Sequence, residues 1–200
     1  EQQVLEKLEA FKYAASASDR QQALDFLFDH MAEARSFLYD ELIIEENEDL
    51  ILANVLMLLS YDSEPLNLSR LLDSLEIQKK KTRYLEDALS YLFQQDPENT
   101  VKILKMYFFS GDFNRKKISL EIMEKNSGPA FRSFLLENFN KEPEPYFQEK
   151  ILQTLLKYDL SEKETRIFFI SLQSPFLGVR NAGVQLLTKF PDFFNEVRLR

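Results

Sequence analysis

Cysteine and tryptophan are absent from the 200 residues, and glycine, with four residues, and histidine, with one, are nearly absent. Without cysteine the chain has no disulfide bond, no thiolate nucleophile and no zinc–thiolate site, although such a chain suits reducing and oxidising compartments alike. The glycine motifs GxGxxG, GxxxxGK and GxSxG do not occur. Few classes of enzyme therefore remain.

Long hydrophobic runs and an excess of positive charge are also missing. The longest apolar run, Leu50 to Leu59, is half a membrane span and contains Asn54, so we predict no transmembrane helix. The net charge of −8 disfavours nucleic acid as a partner, because binding to a duplex requires Lys and Arg to neutralise several phosphates. The 44% hydrophobic content and 18 Phe predict a folded chain with a real core.

The chain begins at Glu1, without Met and without a basic or apolar leader. We expect a trimmed or processed chain, which leaves a lost signal peptide open. A cytoplasmic location is favoured, with export as the alternative.

The spacing of the prolines predicts a repeat. Pro65, Pro97 and Pro129 follow one another at intervals of 32 residues, and Pro143 and Pro175 are also 32 apart. Proline is favoured in the first turn of a helix and disfavoured inside one, so it marks helix starts. Two interleaved series with one period predict a pair of helices repeated about every 32 residues.

Apolar spacing of helical period completes the map, and nothing in the sequence is typical of a strand. Residues 1–46 predict irregular helices, with residues 19–46 forming one long or two short elements. Residues 47–190 predict the repeated pairs, and residues 191–200 the start of a truncated or capping helix after Pro191. The first helices of the pairs are predicted near residues 65–77, 97–109, 129–139 and 162–173, and the second helices near residues 47–60, 80–94, 112–125, 145–158 and 175–189.

The last complete pair carries a resemblance to a known family. Its second helix, SPFLGVRNAGVQLL, has Pro175, Val179-Arg180, Ala182, Val184 and Leu186-Leu187. In this pattern it resembles HEAT-like repeats, the helical pairs that build α-solenoids. The resemblance implies a single all-α domain over residues 1–200, a right-handed superhelix of about six stacked pairs whose wall binds proteins or peptides.

Within this stretch the pattern assigns each residue a role. Pro175 is expected to start the helix, and Ala182, Val184, Leu186 and Leu187 to face the core. Gly178 and Gly183 are expected to allow a neighbouring helix to approach closely. Arg180 is the counterpart of Lys116, 64 residues earlier, and is expected to join a polar ladder or to contact a partner.

Two groups of residues could carry chemistry, and both favour an ordinary structural role. His30 has Asp29 beside it, but neighbouring residues on a helix point about 100° apart, so no catalytic dyad is preformed. Glu41 and Glu45, in the acidic stretch Asp40–Asp49, lie one helical turn apart and could share a cation. A solvated helix end followed by an acidic turn, which favours the next helix through its dipole, is the preferred interpretation. We predict no catalytic residue, metal or cofactor.

Basic residues cluster at the predicted starts of two second helices, Lys79–Arg83 and Arg115–Lys117. A helix dipole alone would prefer acidic residues there. A solvated ridge of ion pairs is the simpler interpretation, and a strip that binds an anionic partner segment is the alternative. The candidate partner-binding residues are Lys80, Arg83, Tyr84, Arg115, Lys116 and Arg180.

The aromatic residues fall mostly at core spacing. In the run Tyr107-Phe108-Phe109, one repeat cannot bury every ring, so one ring should pack between repeats or stay exposed as an anchor. The sequence thus favours a non-enzymatic scaffold for a protein or peptide. A nucleic-acid-binding or repair module and an accessory subunit of an enzyme, such as the HEAT-like lyases that attach bilins, are the alternatives. The sequence does not predict an oligomeric state.

Overall fold

The structure is a computed structural model that describes residues 1–161, 164 and 166–189. These residues form twelve α-helices and no strand, which confirms the predicted all-α class. Each of these helices is too short or too polar to cross a lipid bilayer. The helices are α1 Gln2–Lys12, α2 Ala17–Asp29, α3 Met31–Glu41, α4 Asp49–Ser60, α5 Leu68–Ile77, α6 Thr82–Gln95, α7 Pro97–Phe109, α8 Phe113–Lys125, α9 Pro129–Asn138, α10 Pro145–Leu155, α11 Arg166–Leu172 and α12 Leu177–Leu187.

The predicted helices agree with the observed ones to within a few residues at most ends. The segment that was open between one and two elements forms two helices, α2 and α3, separated at His30. The helix predicted after Pro191, and Phe194 within it, lie outside the described residues.

Proline marks some helix starts and misses others. Pro97, Pro129 and Pro145 are the first residues of their helices. The expected starts at Pro65 and Pro175 are wrong, because α5 begins at Leu68 and α12 at Leu177. For α5 the start is set by Asn67, whose side chain accepts a hydrogen bond from the backbone N–H of Arg70 at 3.1 Å. A capping side chain satisfies a free N–H group at the helix end, which proline cannot do.

The chain divides into two compact units, Glu1–Pro97 and Glu98–Arg200. In the first unit α4 packs against α6 and α3, and α5 packs against α6. In the second unit α10 packs against α8 and α12, and α11 packs against α12. Within each unit, therefore, a helix packs against the helix two positions further along the chain: α4 against α6, α8 against α10, and α10 against α12.

Hydrogen bonds within each unit join residues about one predicted period apart. In the first unit Tyr91 donates to Ser60 at 3.0 Å, a separation of 31 residues. In the second unit the hydroxyl of Tyr158 donates to the carbonyl of Met123 at 3.2 Å, a separation of 35. Further contacts at separations of 27 to 34 residues are Arg35 to Asp62, Arg70 to Asp40, Gln78 to Ile44, Arg132 to Glu164 and Lys189 to Leu156.

Two of these contacts change the acidity of a carboxyl group. The hydrogen bond from Arg35 lowers the pKa of the Asp62 carboxyl, and the hydrogen bond from Arg132 does the same for Glu164. In both cases burial opposes the shift but is outweighed. The pairs are therefore charged at neutral pH and link helices that are distant in the chain.

The core prediction for α12 is right at three of its four positions. Ala182, Leu186 and Leu187 are buried, but Val184 is 42% exposed. At 100° per residue, Val184 lies about 130° from the centre of the arc that Val179, Ala182, Gly183, Leu186 and Leu187 share, so it cannot face the same neighbours.

Candidate functional site

The start of α6 separates the predicted partner-binding residues into two kinds. Lys80 and Arg83 are exposed, and their side chains form no ion pair among the described residues. Tyr84, by contrast, is fully buried, and its hydroxyl lies 2.5 Å from the hydroxyl of Ser74. Burial raises the pKa of the Tyr84 hydroxyl, although the hydrogen bond with Ser74 opposes the shift. Tyr84 is therefore a core residue and cannot contact a partner, so it is no longer a candidate partner-binding residue.

A carboxylate from an earlier helix stabilises the basic start of α6. Asp49, the first residue of α4, accepts hydrogen bonds from the backbone N–H groups of Arg83 at 3.0 Å and Tyr84 at 2.7 Å. These N–H groups belong to the first turn of α6, whose own preceding residue, Lys81, provides no side-chain cap. Asp49 therefore supplies the negative charge that the α6 dipole prefers, and the basic side chains remain in water.

At the start of α8, Lys116 turns inward. Its ammonium nitrogen lies 2.7 Å from a carboxylate oxygen of Glu142, whose side chain is only 2% exposed. The same nitrogen lies 5.0 Å from the ring centroid of Phe108 and 4.8 Å from that of Phe147. Lys116 thus satisfies a buried carboxylate between two aromatic rings. Arg115 beside it lies over the ring of Tyr107 at 5.1 Å.

Six aromatic side chains of the second unit form two clusters on either side of Lys116, which together we call the aromatic belt: Phe108, Phe109, Phe113, Phe134, Tyr146 and Phe147. On one side the ring centroids of Phe108, Phe109 and Phe134 lie 5.1 to 5.6 Å apart, edge to face. On the other side those of Phe113, Tyr146 and Phe147 lie 5.0 to 5.3 Å apart. Lys116, in contact with Phe108 and Phe147, joins the two sides.

Half of the belt is buried and half is exposed. Phe108 and Phe147 are 3% exposed, and they anchor the belt in the core. Phe109 is 65% exposed, Phe113 55% and Tyr146 39%. In the run Tyr107-Phe108-Phe109, the first two rings are buried and Phe109 stays exposed, one of the two predicted outcomes.

A pocket of about 190 Å³ opens where the belt meets Lys116. Its wall combines two belt rings with a polar side: Phe108, Phe109, Gly111, Lys116, Asn138, Lys141, Glu142 and Pro143. Gly111 has a φ of +73°, a left-handed conformation that glycine adopts without strain, and it makes the tight turn from α7 into α8. That turn brings Phe109 and Lys116 to the same pocket.

Arg180 does not reproduce the environment of Lys116. It donates a hydrogen bond to the backbone carbonyl of Ser174, six residues earlier, at 2.7 Å. In place of the expected polar ladder between repeats, Arg180 makes a local hydrogen bond to Ser174 across the turn that precedes α12. At Gly178 the atoms nearest to a Cβ atom would be those of the Glu149 carboxyl group on α10. This group is the end of a flexible side chain that can move away, so the contact is not the close approach of a neighbouring helix that was expected.

The acidic stretch has a structural role. Helix α3 ends at Glu41, so Glu45 does not lie one helical turn from it, as the alternative of a shared cation requires. Glu41 instead pairs with Lys12 at 2.9 Å and accepts a hydrogen bond from Asn47 at 2.6 Å, all three being largely buried. Burial alone would lower the pKa of Lys12, but the hydrogen bond and the charge of Glu41 raise it.

His30 also has a structural contact. Its Nδ1 lies 2.9 Å from the carbonyl oxygen of Phe26, and its ring stacks on the Phe26 ring with centroids 4.0 Å apart. Over residues 1–161, 164 and 166–189, no three Asp, Glu or His side chains lie close enough to hold a metal ion.

The belt was only partly visible in the sequence. Lys116 was a candidate because of its charge, and Phe109 because of the aromatic run, but Phe113, Tyr146 and Glu142 were not singled out. One signal could have found them: Phe113 and Tyr146 stand at the starts of consecutive second helices, about one period apart. Comparison of the chain with family models, with curated proteins and with solved structures finds no match.

Proposed function

We propose that this chain is a non-enzymatic helical-repeat scaffold that binds a protein or peptide partner through the aromatic belt. The observation that carries the proposal is the exposure of three belt rings, Phe109, Phe113 and Tyr146, each of which packs against a buried ring. Contiguous exposed apolar patches are uncommon on monomeric proteins, and aromatic residues are enriched at interface hot spots.

The packing of second helices supports a HEAT-like arrangement with a period near 32 residues. Contact between α4 and α6 in the first unit, and from α8 through α10 to α12 in the second, is what stacked pairs require. The hydrogen bonds at separations of about one period support the same arrangement. In such a stack, residues at equivalent positions of successive second helices form one wall, and Phe113 on α8 and Tyr146 on α10 occupy such positions.

A binding role is preferred to catalysis because the buried ion pairs and the single histidine make structural contacts. Lys116 and Glu142 form a buried pair, Lys12 and Glu41 another, and His30 contacts the backbone of its own helix. A chain without cysteine would need a metal centre, a histidine or paired carboxylates for most hydrolytic and transfer reactions. The described residues offer no such arrangement.

Affinity capture tests the proposal. The double variant Phe109→Ser/Phe113→Ser is expected to lose a partner that the wild-type chain captures, as identified by mass spectrometry. The matched control is Tyr61→Ser, which changes a side chain of the first unit that is 67% exposed. Equal capture by the double variant and the wild-type chain, with the same helix content by circular dichroism, would refute the belt as the binding surface.

A further inference from the structure

Positive charge surrounds the aromatic belt, although the chain as a whole is negatively charged. Four lysines contact a belt ring or line the pocket: Lys105 lies 5.3 Å from the Phe134 centroid, Lys150 lies 5.9 Å from that of Tyr146, and Lys116 and Lys141 line the pocket. The one carboxylate in the same set is Glu142. Charge at this surface is therefore opposite in sign to the net charge of −8.

Three of these lysines have no carboxylate partner. Lys116 is neutralised by Glu142 at 2.7 Å, but Lys105, Lys141 and Lys150 form no ion pair among the described residues. A cation that rests over an aromatic ring keeps its charge and can still attract an anion at the surface. An anionic group of a ligand would therefore meet three cations that have no carboxylate partner among the described residues, two of them over belt rings.

The pocket limits what can enter. Its volume of about 190 Å³ is below the range of roughly 300–1,000 Å³ that is typical of small-molecule and cofactor sites. Two of the eight residues of its wall are aromatic, Phe108 and Phe109, and the wall also contains the carboxylate of Glu142. These features favour one apolar side chain, and the carboxylate disfavours a phosphate group in the pocket.

We infer that the aromatic belt binds an acidic segment of a partner protein, in which one apolar side chain enters the Lys116 pocket and flanking carboxylates contact Lys105, Lys141 and Lys150. The inference rests on the proposed function and adds the chemistry of the partner. The apolar anchor provides most of the affinity by burial, and the lysines select the sign of the flanking charge.

Fluorescence anisotropy with defined peptides tests the inference. The probe is a fluorescein-labelled peptide with Phe-Leu at its centre and three Glu on each side, and two matched peptides carry Lys in place of Glu or Ala-Ala in place of Phe-Leu. The acidic apolar peptide is expected to bind the full chain at least tenfold more tightly than either. Phe109→Ala or Phe113→Ala is expected to weaken its binding by about tenfold or more, since an interface hot spot contributes about 2 kcal/mol or more.

Charge variants separate the role of the lysines from that of the rings. Lys141→Glu is expected to weaken binding of the acidic peptide by about fivefold, the upper range for an exposed ion pair. Lys80→Glu makes the same change at an exposed lysine of the first unit and is expected to alter binding by less than twofold. Helix content by circular dichroism establishes that each variant is folded, and all four substituted side chains lie at exposed positions.

The outcomes distinguish this inference from the proposed function. Equal or tighter binding of the Lys-flanked peptide, absence of binding by all three peptides, or tighter binding of oligo(dT) than of the acidic peptide would each overturn the inference. If the acidic peptide fails while Phe109→Ser/Phe113→Ser still abolishes capture of a partner, the inference is wrong and the proposed function stands. If the acidic peptide binds the belt but capture does not depend on it, the proposed function is wrong.

Discussion

Helices α6 and α8 both begin with basic residues, but the two starts are built from different contacts. At α6 the exposed Lys80 and Arg83 remain in water, and the cap comes from Asp49, whose carboxylate accepts from the first turn of the helix. At α8 the cap is local, from Asp112 to the backbone N–H of Arg115 at 2.8 Å. Lys116 is then drawn inward to Glu142.

The difference shows that a run of positive charge does not by itself specify a binding surface. A cation goes to water or to the interior according to the carboxylate that the fold brings to it, and both carboxylates come from 26 to 35 residues away. At α6 the carboxylate of Asp49 accepts hydrogen bonds from the backbone, so it does not pair with the basic side chains, which stay exposed to solvent. At α8 Asp112 already caps the backbone, and the distant carboxylate of Glu142 forms an ion pair with the side chain of Lys116.

The largest effect is expected from breaking the inward pair at α8. Glu142→Ala removes the partner of Lys116 and leaves an uncompensated cation between two rings, which should cost about 3 kcal/mol of unfolding free energy. Urea denaturation followed by circular dichroism measures the cost. The double variant Lys116→Met/Glu142→Leu removes both charges and should recover most of the loss. A cost for Glu142→Ala below about 1 kcal/mol would show that the pair is no more than a surface contact.

An intermediate effect is expected from removing the two caps. Asp49→Ala leaves two N–H groups of α6 without a partner and should cost about 2 kcal/mol, whereas Asp112→Ala removes one bond and should cost about 1 kcal/mol. The same urea titration gives both values. Asp49→Asn, which keeps an acceptor oxygen, serves as the matched control and should restore about half of the loss. A larger cost for Asp112→Ala than for Asp49→Ala would contradict the comparison.

The smallest effect is expected at Tyr84. Tyr84→Phe removes one buried hydrogen bond and should cost about 1 kcal/mol at neutral pH, while Lys80→Ala should cost less than about 0.5 kcal/mol. Because burial raises the pKa of Tyr84, the folded chain keeps its proton where an unfolded Tyr, with a pKa near 10, loses it.

This ionisation gives the Tyr84 prediction a dependence on pH. Protons leave the unfolded chain first as the pH rises past about 10, so the free energy of unfolding of the wild-type chain falls. Phe cannot ionise, so the difference between the wild-type chain and Tyr84→Phe should shrink over the same range. Unfolding measured in urea at pH 8 and above pH 10 tests this, and a constant difference would mean that Tyr84 is accessible to water in the fold.

Local signals predicted the helices well. Proline at Pro97 and Pro129 and the apolar spacing act within one or two helical turns, which is the range over which the chain sets its own backbone. Pro65 and Pro175 misled because proline tolerates a turn before a helix as well as the first turn inside it.

The candidate site was predicted less completely, because its residues meet through packing. Lys116 was singled out for its charge alone, and no local pattern indicated that Phe108, Phe147 and Glu142 would surround it. Tyr84 stood next to the exposed Arg83 in the chain, yet on a helix adjacent side chains point about 100° apart, so one entered the core and the other stayed in water. Val184 was placed in the core by the apolar pattern of its own helix, but it lies outside the arc that α12 buries.

The sequence by itself determined that the chain is helical, that it has neither disulfide bonds nor thiolate chemistry, and where most helices begin and end. Those properties follow from composition and from interactions between residues a few positions apart. Only the tertiary structure decided which charges pair, which of three consecutive rings stays exposed, and that six aromatic residues from four helices form one belt. Such properties depend on contacts across 26 or more residues, whose geometry is set by how the helices pack.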